Sequence, residues 1–227
     1  KERIVTASLD NQQREKLVPG LSDIIDGTVQ VEITRLDETR QNVALNLTRS
    51  ALSVPWVGWT KGSGIPATAN FEITSDGTKQ EISGFKLDGE GFGADGVMAL
   101  SDGSLQSAQF SRVKLSPADD YRVSLKRTRG GFDVSVSGAS ADIRPVLTRL
   151  RSGSPGGEKE DSGSATIRAK LDQILGFGDE RLSNVSMLFE TGNGTISKAD
   201  FSAVTGSGEA GVRRMTKGAP AGASAYC

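Results

Sequence analysis

The sequence predicts a mainly β protein, a long antiparallel meander curled into a groove, with two short α-helices. Three observations carry this. Apolar and polar residues alternate in short runs from end to end, which is the mark of strands with one dry face. Asp-Gly, Asn-Gly and Gly-Gly pairs separate the runs at Asp26-Gly27, Asp76-Gly77, Asp88-Gly89, Asp102-Gly103, Gly130-Gly131 and Asn193-Gly194. Such pairs tolerate the positive φ angles of tight hairpins, so successive strands should pair antiparallel. Finally, 28 of 227 residues are glycine, without a collagen period, while aromatics make up only 5%, a balance that suits many turns.

The elements follow in chain order. Asp10 can cap a helix over Asn11 to Leu17, stopped by Pro19-Gly20. Strand alternation then runs through Val29, Val31 and Ile33, through Val43, Leu45 and Leu47, and through Phe71 and Ile73. It continues at Phe85 and Leu87, at Val123 and Leu125, and at Phe132, Val134 and Val136. The second helix is expected over 142–150, where Ile143, Val146, Leu147 and Leu150 fall at helical spacing. Asp142 is its expected cap, and Pro145 lies in the first turn, where its missing N–H costs little. A Gly/Ser-rich, charged stretch over 152–163 has nothing apolar to bury and reads as a flexible linker. The alternation resumes at Ile167, Ala169 and Leu171 and again at Val185, Met187 and Phe189. This divides the chain into a first β section, 1–151, which holds both helices, and a second, 164–227, which continues or packs on the first. Val97–Ser111 (VMALSDGSLQSAQFS) and Leu188–Ser202 (LFETGNGTISKADFS) align without gaps as similar hairpins, as a sheet extended by repeated units would show.

Composition narrows the function. Histidine is absent, which removes the commonest general base, the commonest metal ligand and every Ser-His or Cys-His pair. The only cysteine is Cys227, so neither an intrachain disulfide nor a cysteine-rich zinc site is possible. A net charge of -1 leaves no electrostatic footprint for nucleic acid. No run approaches the ~20 apolar residues of a membrane span. The chain begins at Lys1 without Met and ends in a small-residue tail at Cys227, so an anchor or export signal is expected outside it. No enzyme activity and no cofactor are expected.

The motifs that resemble chemistry have simpler readings. Gly91-Phe-Gly-Ala-Asp-Gly96 satisfies GxGxxG, but Ser101-Asp-Gly103 leaves no room for the helix a dinucleotide needs. The same segment half-matches a calcium nonapeptide, which works only as stacked copies. A turn or bulge is the better reading. Asp119-Asp120 and Glu158, Glu160 and Asp161 lack the spacing of a calcium loop and read as surface charge. Scattered carboxylates offer no pair for glycoside chemistry. Trp56 and Trp59 flank Val57-Gly58 and read as covers for one end of the core rather than as a ligand-facing pair. Ser140 to Leu150 reads as a helix packed on the sheet rather than as a partner-binding one. Sequons at Asn46, Asn184 and Asn193 are too short a signal to carry weight.

Several segments resemble the AsmA-like family of Gram-negative envelope proteins, in its YhdP-type, TamB-related branch. They are Trp59–Phe71 (WTKGSGIPATANF), Leu87–Gly96 (LDGEGFGADG), Ala108–Val113 (AQFSRV), Asp142–Leu150 (DIRPVLTRL) and Leu182–Leu188 (LSNVSML). The resemblance runs from about the first strand to Val212. It implies a large periplasmic protein anchored in the inner membrane, whose antiparallel sheets curl into an apolar groove. It implies conduction of phospholipid between inner and outer membranes in outer-membrane biogenesis and integrity, with partner proteins at either membrane. It offers no catalytic residues.

A row of strands with one apolar face must cover that face with a second sheet, with helices or with hydrocarbon. Two short helices are too small to cover so many strands. The residues expected to line the groove, from period alone, are Val31, Val43, Leu45, Phe71, Phe85, Phe110, Val134 and Phe201, with phospholipid acyl chains as the ligand. The alternative is a closed β-sandwich serving as a structural or protein-interaction module of the envelope, with no lipid cargo.

Overall fold

A computed structural model describes residues 3–17, 24–54, 57–152, 164–192, 195–205 and 210–216. The expected turns at Pro19-Gly20 and Asn193-Gly194 lie outside this range, as do Trp56, Cys227, the acidic residues 158–161 and nearly all of the linker. Most of the described residues form one mostly antiparallel sheet of thirteen strands. It starts with β1 (Arg3–Leu9), β3 (Val29–Arg35), β4 (Arg40–Asn46), β7 (Ala67–Asp76) and β8 (Lys79–Gly89). It goes on through β9 (Phe92–Ser101), β10 (Ser104–Lys114), β11 (Asp120–Thr128) and β12 (Gly131–Asp142). The far side is β13 (Ser164–Leu175), β14 (Arg181–Gly192), β15 (Thr195–Val204) and β16 (Ala210–Thr216). β1 and β16 are free edges, so the sheet is open rather than closed into a barrel. A small second sheet, in the order β2 (Ile25–Gly27), β5 (Ser50–Val54) and β6 (Trp59–Lys61), was not foreseen.

The two sections share the one sheet, but their junction departs from a meander: β12 and β13 pair parallel, from Gly131↔Ser164 to Asp142↔Leu175. A tight turn cannot join parallel neighbours, which need a crossover of a dozen or more residues. Residues 143–163, including helix α2 (Arg144–Ser152), supply it. Thus the helix and the polar stretch after it are the connection that lets the sheet continue.

Both predicted helices form. At α1 (Asn11–Leu17) the cap is reciprocal: Gln13 N donates to Asp10 Oδ1 at 2.8 Å, and Asp10 N donates to Gln13 Oε1 at 3.0 Å. Arg14, 5% exposed, points inward and donates to the carbonyls of Gly27 and Ile25, pinning the helix to β2. α2 begins two residues later than expected, yet Asp142 still caps it, accepting from Arg144 N at 3.0 Å. Turn chemistry explains the tight hairpins: Asp102 (φ 50) and Gly103 (φ 70) are both in the left-handed region that a two-residue type I′ turn requires. Asp26-Gly27 and Asp88-Gly89 are not hairpin turns. The first closes β2, where the chain passes to the large sheet, and the second ends β8 ahead of the Glu90-Gly91 turn.

Two apolar clusters hold the fold. In the first, Val29, Val31, Val43, Leu47, Ala67, Ala69 and Phe92 of the large sheet pack with Leu52 of the small one, and Trp59 and Ile25 lie against them. Trp59 meets Phe92 with ring centroids 5.0 Å apart, so it covers the core end as expected. Lys61, 3% exposed, donates from Nζ to the carbonyls of Leu47 (2.7 Å) and Ser50 (2.6 Å), tying the small sheet to the β4–β5 turn. Burial holds its pKa below the ordinary lysine value. The second cluster joins Leu171, Ile174, Val185 and Ala203, with Tyr121, Ile143 and Phe201 against it. Pro145 of α2 lies so close to Gly58 that a Cβ there would stand 2.8 Å from the Pro145 carbonyl oxygen. The two covering elements therefore meet above the strands that separate them.

Glycine also shapes the apolar face. Gly96 lies between Phe85 and Phe110 in register, and a Cβ there would approach Phe110 Cδ1 to 2.7 Å and Gln109 O to 2.6 Å. The missing side chain is the space the ring occupies. Gly96→Ala is expected to lower stability by about 1–3 kcal/mol through overpacking, read as a reduced urea midpoint with unchanged slope.

Candidate functional site

Cross-strand register decides which residues share a face, because directly opposed residues project to the same side. One row runs Val31, Leu45, Ala69, Leu87, Ala94, Val113 and Tyr121, from β3 to β11. The next contains Ile33, Val43, Phe71, Phe85, Gly96, Phe110, Val123, Val136, Ala169, Met187 and Phe201. A third contains Ile73, Ile82, Met98, Ala108, Leu125, Val134, Ile167, Phe189 and Ala199. All eight residues expected from the sequence therefore lie on one face.

They are not equally covered. Val31 and Val43 are buried beside the small sheet, whereas Leu45, Phe71, Phe85, Phe110, Val134 and Phe201 are only partly covered. Phe71, Phe85 and Phe110 form an unbroken aromatic run, with centroids 6.0 and 5.9 Å apart, spacings that suit favourable ring pairs. The run crosses β7 to β10. The face thus has one end covered by the small sheet and by Ile143 ahead of α2, while the other, at the hairpin tips near Asp37, Asp76, Asp102 and Gly130, has no covering element among the described residues.

Ile82, Met98, Leu125 and Met187 complete these rows, and the pattern of the sequence hid some of them. Register shifts between Ile82 and Phe85, between Leu105 and Ser107 and between Phe110 and Arg112 insert extra residues, so the period of two slips along one strand while the face stays continuous. Bulges of this kind also bend strands and sharpen twist.

The opposite face is polar and solvated. Glu32, Ala44, Asn70, Lys86, Asp95 and Arg112 follow one another across it, with Arg112 Nε donating to Asp95 Oδ2 at 2.7 Å. Exposed pairs such as this contribute little to stability. Two shallow hollows open mainly among polar-face residues. One is lined by Glu32, Asn42, Asn70 and Glu72 beside the Ser83-Gly84 bulge, the other by Lys86, Asp95, Gln109, Arg122 and Ser135.

The remaining carboxylates have structural work. Asp119 is 5% exposed and accepts from Asp142 N at 2.7 Å, joining the β10–β11 turn to the start of α2. Burial raises its pKa above the ordinary carboxylate value. Asp142 moves the other way, held low by its hydrogen bonds to Arg144 (2.5 Å from Nη2). Tyr121, beside them, is pushed up by burial and then by the charge of Asp119. Among the described residues no group of three or more acidic or Cys side chains could hold a metal ion, and no helix is long and apolar enough to cross a membrane. The GxGxxG segment lies in the β8–β9 turn and β9, with a strand and no helix after the glycines. No protein-family model, curated protein or solved structure matches this chain.

Asp119 sets a pH dependence. Its unfolded value is near 3.8 and its folded value is higher, so between the two the native state binds more protons, and stability falls as pH rises through the folded value. Asp119→Asn keeps an acceptor for Asp142 N and removes that loss. Its urea midpoint should exceed wild type at neutral pH, and the two should converge below pH 3.8.

Proposed function

We propose that this chain is a lipid-binding segment of an envelope protein, its apolar face holding acyl chains, as the resemblance to the AsmA-like family implies. In that reading it is one stretch of a periplasmic bridge along which phospholipid passes between inner and outer membranes. The observation that carries it is the partly covered apolar face that continues across strand after strand, with the aromatic run Phe71–Phe85–Phe110 in its middle. An acyl chain of about 16 carbons gains roughly 13 kcal/mol gross on full burial at ~0.8 kcal/mol per methylene. Ordering and partial exposure take back a large share of this, which suits a ligand that is held and passed on. Hydrocarbon binding of this kind needs no catalytic residue.

The reading of a structural module without cargo draws on the first cluster, where the small sheet packs on the large one as a sandwich. That packing covers one end only.

The test is mass spectrometry of lipids extracted from the purified protein, wild type and Phe85→Asp/Val134→Asp. Phospholipid should accompany the wild type and be depleted at least about tenfold in the variant, with the β-sheet circular dichroism spectrum retained, because each charge would have to be desolvated against hydrocarbon. Equal lipid content in both folded proteins would refute the assignment.

A further inference from the structure

The apolar face is selective about charge. Traced through the register, its positions in β1, β3, β4 and β7–β15 include no Asp or Glu, and the acidic residues of these strands fall on the opposite face or at the turns. The charged side chains it does admit are Arg3, Arg35 and Arg127, and all three sit at the uncovered, hairpin-tip end. Arginine stems can lie on an apolar face with the guanidinium in water, which places three exposed cationic heads at its rim, where an oxyanion could meet them.

The local geometry agrees. Arg127 is opposite Phe132 in register, and its guanidinium carbon lies 4.7 Å from the centre of that ring. Its Nε donates to the Leu105 carbonyl at 2.7 Å. These contacts fix the plane of the fork, while its terminal nitrogens have no protein acceptor among the described residues. Arg3 and Arg35 are directly opposed on adjacent strands, an arrangement of like charges that costs stability. The carboxylate nearest Arg35 in sequence, Asp37, accepts from Arg40 and Thr39, and Arg35 Nε donates to the Asp37 carbonyl at 2.9 Å. A shared oxyanion would relieve that repulsion, and a planar guanidinium fork matches phosphate or carboxylate in two-point fashion.

We propose, resting on the lipid reading above, that the open rim of the apolar face selects amphiphiles with an oxyanionic head, Arg127 and the Arg3–Arg35 pair receiving the head while the tails lie on the aromatic run. The polar end of the lipid then points to the hairpin tips, and the sealed end faces the tails. The arginines form two stations along the rim, on β1/β3 and on β11.

The experiment titrates the delipidated full chain, followed by native mass spectrometry, with dioctanoyl phosphatidic acid, dioctanoylglycerol and inorganic phosphate. Wild type should bind the phosphatidic acid at least about tenfold tighter than the glycerol with the same tails, the gain expected for charge-assisted hydrogen bonds. Arg127→Gln combined with Arg35→Gln should remove most of that ratio and leave dioctanoylglycerol affinity unchanged, while Arg127→Lys/Arg35→Lys should restore part of it. Equal affinity for both lipids, or a ratio unchanged in the double Gln variant, overturns head selection while leaving tail binding intact. Inorganic phosphate binding as tightly as phosphatidic acid would assign the arginines to a free oxyanion and overturn the proposal. Binding of none of the three would overturn the lipid reading itself.

Discussion

The structure depends on one constraint: the apolar residues of successive strands must stay in phase across a sheet that has no second sheet of equal size to face it. Each strand buries only one side, and that side gains stability only if its neighbours present theirs in the same direction. A slip of one residue in any pair would turn a whole strand over. Cross-strand neighbours such as Val43 and Phe71, or Leu125 and Val134, show the phase being kept. Where strands gain a residue, bulges absorb it, so that Ile82 and Phe85 remain on one side although three positions separate them.

From this constraint follows the uneven covering of the face. At one end the chain spends an irregular segment on protection, the excursion from Leu47 to Ala67 that folds into the small sheet. The buried polar groups there are all employed, Arg14 and Lys61 on carbonyls and Asp119 on the amide of Asp142. Such groups are costly to bury without partners, so their presence marks the places where covers are fastened to the sheet. At the other end tight hairpins turn straight back. These turns are two to four residues long, the Asp102-Gly103 turn being type I′, and leave nothing over to form a lid.

The proposed amphiphile rests on this asymmetry. The proposed ligand, with tails and an anionic head, draws on the apolar width at the centre, the covered end, and the arginines that are the face's own charges at the open rim, where the carboxylates lie in the turns. The polar face carries both signs in exposed pairs such as Asp133–Arg168 and Asp95–Arg112, which is ordinary solvated surface. The difference between the faces lies in which charges are missing as well as in hydrophobicity.

Much of this was legible in the residues. Alternation identified the strands and put the eight candidate positions on one face, and Asp10 and Asp142 marked their helices. Those properties are local: side-chain period, cap chemistry and turn preference act within a few residues. The small sheet, the parallel β12–β13 junction and the end at which the face is sealed were decided by tertiary structure. Ile25–Gly27 pairs with Ser50–Leu52 across more than twenty residues, and no local pattern encodes such a partner. Arg127 shows the same division. Period puts it after Val123 and Leu125 on the oily side, and only register against Phe132 and contact with Leu105 show what it meets there. Pairing between distant strands, set by the free energy of burying whole rows together, turned an alternating sequence into a surface with two faces and one open end.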